Sequence, residues 1–201
     1  MSRIGVYKAV VFAVGCLPLA AVTASLFADP TPDPYERLAH TTGEFALRFL
    51  LLTLLVTPLK DVLKLKRLGA FRRTLGVLAF TYTFFHFLAY MVFEAGFDPA
   101  FVSEDIAQRR FILFGMLAGV PMFLLGVTSN NFAVGRLGRK WKKLHMLVFP
   151  LALFAALHFF MSVRGDDKGE AVFYLAAFAL LILYRLGRWG LRARRRRAAA
   201  A

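Results

Sequence analysis

Three of the four histidines lie inside long apolar runs, where an ionisable side chain needs a physical reason to be. His86 lies in one run, and the run KLHMLVFPLALFAALHFFMS contains both His145 and His158. His40 lies in the polar stretch DPTPDPYERLAHTTGE, and we expect it to be solvated. An imidazole is costly to place in hydrocarbon, so a histidine there indicates a functional group by default. The chemistry open to such residues is haem ligation, metal binding, a proton relay or hydrogen bonding between helices.

The composition indicates a membrane protein. Of its 201 residues, 59% are hydrophobic and only 19% are charged, and there are 22 phenylalanines. Several apolar runs approach the ~20 residues that a helix needs to cross a bilayer. No strand-like alternation is present, so the predicted fold class is all-α, a polytopic helical bundle. The single cysteine, Cys16, excludes a disulfide framework and an iron–sulfur cluster held by this chain alone.

The apolar runs predict six transmembrane helices in one domain that covers residues 1–201. Each run is close to the length that crosses the hydrocarbon layer. Residues 190–201 form a basic tail after the last run. The predicted helices lie near 9–28, 43–59, 74–95, 110–128, 144–163 and 171–189.

The distribution of charge predicts the orientation. Most of the 26 basic residues fall at the N-terminus, in the second and fourth connections and in the tail. Most acidic residues fall in the other connections, near 29–42, 96–109 and 164–170. Because basic segments stay on the cytoplasmic side, both termini are predicted to be cytoplasmic. The net charge of +14 is therefore a topology signal that also attracts anionic membrane lipid, and no nucleic-acid partner is expected.

His86 and His158 are predicted to lie at a similar depth in the bundle. They belong to the third and fifth helices, which run in the same direction. His86 lies about 16 Å and His158 about 21 Å beyond the inner edge, at 1.5 Å per residue. Two imidazoles at one level could bind a single haem iron from opposite faces, as in low-spin electron carriers. A proton relay, a metal ion or interhelical hydrogen bonds are the alternatives.

His145 is predicted to lie at the inner boundary, where no second histidine is available on the third helix. It is accompanied by basic residues and a tryptophan, which suits an anionic cofactor such as a flavin phosphate or a quinone headgroup. The alternative is a basic topology loop with an interfacial tryptophan. This predicted rim consists of Arg72, Arg73, Lys140, Trp141, Lys143 and His145.

Arg48 is another charged residue inside a predicted span. It follows Glu44 by one helical turn, a spacing that favours an ion pair. It could equally pair with a haem propionate, and both interpretations stay open.

Three segments of the chain resemble the MsrQ family of membrane proteins. They are RRTLGVLAFTYTFFHFLAY (72–90), GMLAGVPMFLLGVTSNN (115–131) and LGRKWKKLHMLVFPLALFAALHFFMSV (137–163). The order of the motifs is also similar, with R-R-x-L-G before the first histidine and W-x-x-L-H before the last two. The similarity extends from about Gly43 to the sixth predicted helix.

The resemblance implies a ferric-reductase-like transmembrane domain with a b-type haem and flavin mononucleotide (FMN). His86 and His158 match the family's ligand positions, and His145 matches its inner histidine. The related NADPH oxidases hold two stacked haems between paired histidines, whereas this chain offers one histidine on the third helix.

The resemblance also implies a role in electron transfer in the bacterial inner membrane. Quinol or a cytosolic flavin reductase would be the electron donor. The acceptor would be MsrP, a periplasmic molybdenum enzyme that repairs methionine sulfoxide in proteins. The chain would then be a non-catalytic subunit of an oxidoreductase. The alternatives are a ferric reductase that acts on external iron and a transporter that relays protons through its histidines.

Overall fold

The computed structural model describes residues 3–28, 33–163 and 168–199, and the regular elements in these residues are all helical. Short 3₁₀ segments occur at Lys66–Phe71 and His145–Leu147, and a π-helical turn spans Tyr90–Glu94. The α-helices are α1 (Arg3–Ala28), α2 (Pro34–Val62), α3 (Arg72–Ala89), α4 (Pro99–Gln108), α5 (Arg110–Val127), α6 (Asn131–Leu137), α7 (Arg139–Leu144), α8 (Val148–Ser162) and α9 (Lys168–Ala198).

The all-helical, multi-pass character of the chain is confirmed. Among the described residues, five helical stretches are long and apolar enough to cross a membrane. Helix α2 is 29 residues long but is not one of them, and it carries Glu44 and Arg48 inside its predicted span. The sixth crossing and the cytoplasmic placement of both termini therefore stay predictions. The five stretches are Arg3–Ala28, Lys66–Glu94, Arg110–Val127, Arg139–Ser162 and Lys168–Arg195.

Two of the predicted loops are partly helical. Helix α2 begins at Pro34 because the Asp33 carboxylate accepts a hydrogen bond from the Glu36 amide at 2.8 Å, which caps the helix. His40 therefore lies on α2 and not in a loop. Helix α4 begins in the same way, since Asp98 caps it ahead of Pro99. The predicted loop 164–170 is described only from Lys168 onward, so Asp166 and Asp167 lie outside the described residues.

Two other boundaries also differ from the prediction. The fifth predicted helix begins at Arg139 as α7 and tightens into the 3₁₀ turn before it continues as α8. Pro150 accounts for this, because its nitrogen cannot donate to the carbonyl four residues earlier. The predicted tail is helical as far as Ala198, since α9 continues without a break.

The bundle has two chemically different ends. At one end, which we call the basic end, lie the C-terminal parts of α2, α5 and α9, the start of α3, and helix α7. At the other, which we call the acidic end, lie the starts of α2, α5 and α9, the C-terminal part of α3, and helix α4. Contacts such as Arg185 to Thr57 and Arg48 to Glu170 connect helices at the two ends respectively. The core between them is formed by α2, α3, α5, α8 and α9.

Helix α1 is attached to this core through one buried tyrosine. The Tyr82 hydroxyl on α3 donates to the Gly15 carbonyl at 2.8 Å and accepts from the Leu19 amide at 3.0 Å. The hydroxyl thus lies between the Leu19 amide and the Gly15 carbonyl, which are one helical turn apart and would otherwise bond to each other. This insertion of a side chain into the helix occurs next to Pro18. Tyr82 is fully buried, so its role is to join α1 to the bundle.

A buried carboxylate organises the acidic end. Asp105 of α4 accepts a hydrogen bond from the Tyr90 hydroxyl at 2.8 Å and is ion-paired with Arg109. Arg109 also lies 3.3 Å from Glu94. Burial alone would raise the pKa of Asp105, but the hydrogen bonds from Arg109 and Tyr90 hold that pKa below its usual value. Burial and the neighbouring Glu94 raise the pKa of Tyr35 to about 12, which keeps this phenol neutral.

We expect the substitution Asp105→Asn to destabilise the protein by about 2–3 kcal/mol, because Arg109 loses its main partner and Tyr90 loses a charged acceptor. The matched control is Glu104→Gln, since Glu104 is exposed on the same helix. Thermal unfolding in detergent at neutral pH measures both. The difference between Asp105→Asn and the native protein should shrink as the pH falls below the ordinary carboxyl range, where protonated Asp105 no longer pairs with Arg109. An equal effect of both substitutions would show that the Asp105 contacts contribute no stability.

Candidate functional site

His86 and His158 face one another inside the bundle. The centres of the two imidazole rings lie 6.0 Å apart, with the ring planes at 83°. His86 comes from α3 and His158 from α8, so two helices that are distant in sequence are brought together. The prediction that both residues lie at one level is confirmed. Both rings contact residues near the starts of α2 and α5, at the acidic end, while their depth in the membrane stays a prediction.

Each ring is oriented by a backbone carbonyl. The Nδ1 atom of His86 lies 2.9 Å from the Ala39 carbonyl oxygen, and that of His158 lies 2.7 Å from the Phe111 carbonyl oxygen. A carbonyl oxygen can only accept, so both Nδ1 atoms carry the proton. The Nε2 atom of each neutral ring therefore keeps a free lone pair. This arrangement, with one nitrogen donating to a carbonyl and the other available, is typical of metal-ligating histidines.

Two glycines allow this close approach of the rings to the helix backbone. Gly43 follows Ala39 by one helical turn on α2, and Gly115 follows Phe111 by one turn on α5. A Cβ atom at Gly43 would lie 3.2 Å from the His86 ring, and one at Gly115 would lie 2.9 Å from Nδ1 of His158. Ordinary side chains at these positions would crowd the imidazoles. The same carbonyl-and-glycine arrangement thus holds both histidines.

The geometry of the pair fits one metal centre. Imidazole nitrogens bind first-row metal ions at about 2 Å, which places the centres of two opposed ligand rings about 6 Å apart. The observed 6.0 Å separation matches that value. Among the described residues no group of three or more His, Cys, Asp or Glu side chains could hold a metal ion.

His145 has different surroundings at the basic end. Its ring stacks on Trp141 with the ring centres 3.7 Å apart, and its Nε2 atom lies 3.3 Å from the Ser129 hydroxyl oxygen. The Trp141 indole donates to the Thr128 carbonyl at 2.8 Å, which ties α7 to the end of α5. No histidine of the described chain faces His145. The structure therefore offers one pair of opposed imidazoles, as the count of histidines on the third helix predicted.

The predicted rim is divided between two places. Arg73 donates to the Asn131 side chain at 2.6 Å and so lies beside the Trp141–His145 stack. Lys140 and Lys143 are exposed on α7, the helix that also carries Trp141. Arg72 does not join them, because its guanidinium donates to Thr57 on α2 and faces α9. Consecutive residues at a helix start point about 100° apart, which explains the separation.

Arg48 forms the ion pair that its spacing predicts. Its guanidinium donates to Glu44 at 2.7 Å and lies 3.8 Å from Glu170 on α9. Its role toward a haem propionate stays a prediction.

Sequence reasoning missed several residues that shape these sites. They act through backbone carbonyls, missing side chains or single polar contacts, none of which follows a periodic pattern. The T-S-N-N motif was the one visible signal, because it places polar groups directly after an apolar helix. The missed residues are Ala39, Gly43, Phe111, Gly115, Thr128, Ser129 and Asn131.

Comparison with known proteins gives a consistent result. Residues 42–156 match the model of the family described as ferric reductase like transmembrane component, a range that includes His86 and His145 and ends just before His158. The chain is 44% identical over 163 residues to the protein-methionine-sulfoxide reductase heme-binding subunit MsrQ of Brucella ovis. The MsrQ proteins of Brucella canis and Brucella melitensis biotype 2 are equally similar. Each alignment covers 81% of this chain and 73% of the relative. No solved structure matches.

Proposed function

Because this chain belongs to the MsrQ family of haem-binding subunits, within the ferric-reductase-like transmembrane proteins, we propose that it transfers electrons across the bacterial inner membrane to a periplasmic methionine sulfoxide reductase. The observation that supports this most directly is the His86–His158 pair, in which both Nε2 atoms are free and both Nδ1 atoms are held by carbonyls.

His86 and His158 are the residues that would hold a b-type haem. When bound, this group would supply a one-electron carrier. The residues of the chain fix the tautomer and orientation of the rings through Ala39 and Phe111. Both rings are partly buried in the bundle. Reduction of a methionine sulfoxide, which consumes two electrons and two protons and releases water, takes place on the partner enzyme.

The two ends of the bundle suggest the direction of transfer. The histidine pair lies near the acidic end, which we assign to the periplasmic side from the charge distribution. The Trp141–His145 stack lies at the basic end, about 20 Å from His158 along the helix. We propose that Arg73 beside this stack, together with Lys140 and Lys143 of α7, receives the donor, a quinol or FMN reduced by a cytosolic flavin reductase. Positive charge there favours a phosphate or a reduced anionic ring.

The decisive experiment uses membranes that contain the pre-reduced protein. Addition of a purified MsrP-type molybdoenzyme together with methionine sulfoxide should reoxidise the protein, as followed by its visible absorbance. The rate should fall as the salt concentration rises, because charged surfaces guide small electron-transfer contacts. Ferric chelates provide the contrasting acceptor. Fast reoxidation by ferric chelates with no response to the molybdoenzyme would establish the ferric reductase alternative instead.

A separate prediction concerns the donor side. We expect Arg73→Ala to lower the FMN content of the purified protein several-fold, because it removes a guanidinium beside the Trp141–His145 stack. Lys143→Ala should have a smaller effect in the same direction, since Lys143 is exposed. Fluorescence of released flavin measures the content, and the absorbance of the haem provides the internal control. Arg136→Ala is a matched loss of charge on α6. Equal flavin content in Arg73→Ala and Arg136→Ala would exclude a specific role for Arg73.

A further inference from the structure

The basic end contains a second feature that the electron-transfer role does not use. A cavity of about 140 Å³ lies between the ends of α2 and α9 and the start of α3. Apart from Thr57 and Trp189, every residue that lines it is a lysine or an arginine. The full lining is Thr57, Lys60, Arg72, Arg185, Arg188, Trp189 and Arg192.

The positive charges in this cavity are largely uncompensated. Arg188 is ion-paired with Asp61, which also accepts a hydrogen bond from Tyr184. Among the described residues, no carboxylate pairs with Lys60, Arg72, Arg185 or Arg192. Like charges this close together repel, and burial strengthens the repulsion. The folded protein therefore holds a cluster of cations that an anion would stabilise.

Thr57 brings two of these cations together. Its hydroxyl is buried and accepts hydrogen bonds from both Arg72 and Arg185, the latter at 3.0 Å. The Nε atom of Arg185 is also buried and has no hydrogen-bond partner among the described residues. A guanidinium carries five N–H donors, so each of these two keeps donors beyond the one that Thr57 accepts. Two such groups that converge on one point are suited to an oxyanion with several acceptor atoms.

The size and position of the cavity limit which class of ligand it can bind. Complete drug-sized ligands occupy pockets of about 300–1,000 Å³, so a cavity of about 140 Å³ fits a headgroup and not a flavin ring system. The cavity lies where the apolar part of α9 gives way to its arginine-rich part. Phe149 and Trp189 lie 5.6 Å and 5.9 Å from the Arg185 guanidinium, which is typical of a membrane–water boundary. Basic pockets between helices at this level bind the headgroups of anionic lipids.

We propose that this cavity is a binding site for a phosphoryl group, held by Arg72 and Arg185 and surrounded by Lys60, Arg188 and Arg192. The phosphoryl group belongs either to an anionic phospholipid of the surrounding leaflet or to a soluble phosphate monoester. Occupation would tie the C-terminal part of α9 to α2 and α3. The site is independent of the haem assignment, since it contains none of the histidines.

Thermal unfolding in nanodiscs of phosphatidylcholine tests the site. Inorganic phosphate is the first probe, and chloride at equal ionic strength controls for screening. Phosphate should raise the melting temperature in a saturable way, because it binds the folded state. The variant Arg185→Gln should need at least about tenfold more phosphate for the same stabilisation. Arg194→Gln removes the same charge from an exposed position of α9 and should respond like the native protein.

Without an anionic ligand, the native protein should lose its advantage in stability over Arg185→Gln. In phosphate-free discs, Arg185→Gln should be at least as stable as the native protein, because one of the repelling charges has been removed. If Arg185→Gln does not fold, Arg72→Gln provides the same comparison. Equal effects of phosphate and chloride, or equal responses of Arg185→Gln and Arg194→Gln, would disprove the site.

A second set of discs identifies the source of the phosphoryl group. Addition of phosphatidylglycerol to the discs should stabilise the native protein and Arg194→Gln more than Arg185→Gln if a lipid headgroup occupies the cavity. Phosphate should then add little further stabilisation. Stabilisation by phosphate but not by phosphatidylglycerol would assign the site to a soluble phosphate monoester. If neither probe stabilises the native protein, the proposal is wrong.

Discussion

Substitution of either His86 or His158 by alanine is expected to abolish haem binding almost completely. Each residue supplies one of two opposed imidazoles whose ring centres lie 6.0 Å apart, and no other described histidine faces this position. The purified variants should lack the visible bands of a low-spin haem, and the haem content per protein should fall by more than tenfold. Both variants should still insert into the membrane, because the helices and their apolar contacts are unchanged.

The matched control is His40→Ala. His40 lies on α2, where it is exposed and contacts Glu44 at 3.1 Å, so its loss should leave the haem spectrum unchanged. His145→Ala provides a second comparison at the basic end. If the haem content is normal in both His86→Ala and His158→Ala, the proposed ligand pair is wrong. If His145→Ala removes part of the haem while the spectrum of the remainder persists, the chain holds a second haem.

The next largest effect is expected from Gly115→Ala. The added Cβ would lie 2.9 Å from Nδ1 of His158, which is fixed by the Phe111 carbonyl on the same helix. The ring must turn or shift, and it then loses its hydrogen bond or its alignment with His86. Loss of such an outer contact typically lowers metal affinity by about 10–100-fold. Haem affinity, measured by titrating the haem-free protein, should therefore fall within that range.

Gly119→Ala is the control for this substitution. Gly119 lies one turn further along α5, and a Cβ there would meet no atom within 4 Å. Both substitutions favour the helix equally, so the difference between them isolates the contact with His158. Gly43→Ala should weaken haem binding less than Gly115→Ala, since its Cβ would lie 3.2 Å from the His86 ring. Identical haem affinities for Gly115→Ala and Gly119→Ala would contradict the positioning role of Gly115.

The amino-acid sequence alone determined that the protein is helical with membrane-spanning segments, and it predicted the pairing of His86 with His158. Long apolar runs determine membrane helices because unsatisfied backbone groups cannot be placed in hydrocarbon. The rise of 1.5 Å per residue was then sufficient to place His86 and His158 at one level. Their spacing left a proton relay and a metal site as alternatives. The MsrQ resemblance, which rests on particular motifs, pointed to haem.

Helix ends were predicted less well, because capping depends on single residues. Asp33 caps α2 and Asp98 caps α4, and both helices begin in stretches that the sequence predicted to be polar loops. Such caps are local hydrogen bonds that do not change the average polarity of a segment. The basic tail, residues 190–201, was predicted to follow the last helix, although α9 continues to Ala198 and Arg192 lines the cavity.

Only the tertiary structure decided which polar groups meet. It separated Arg72 from Arg73, and it placed Arg72 with Arg185, which is far away in the sequence. It also showed that Ala39 and Phe111 orient the two imidazoles, and that Gly43 and Gly115 make room for them. The contacts of the two imidazoles join a side chain to the backbone of another helix. The sequence cannot reveal them, because a backbone carbonyl is present at every residue and only helix packing selects the one that is used.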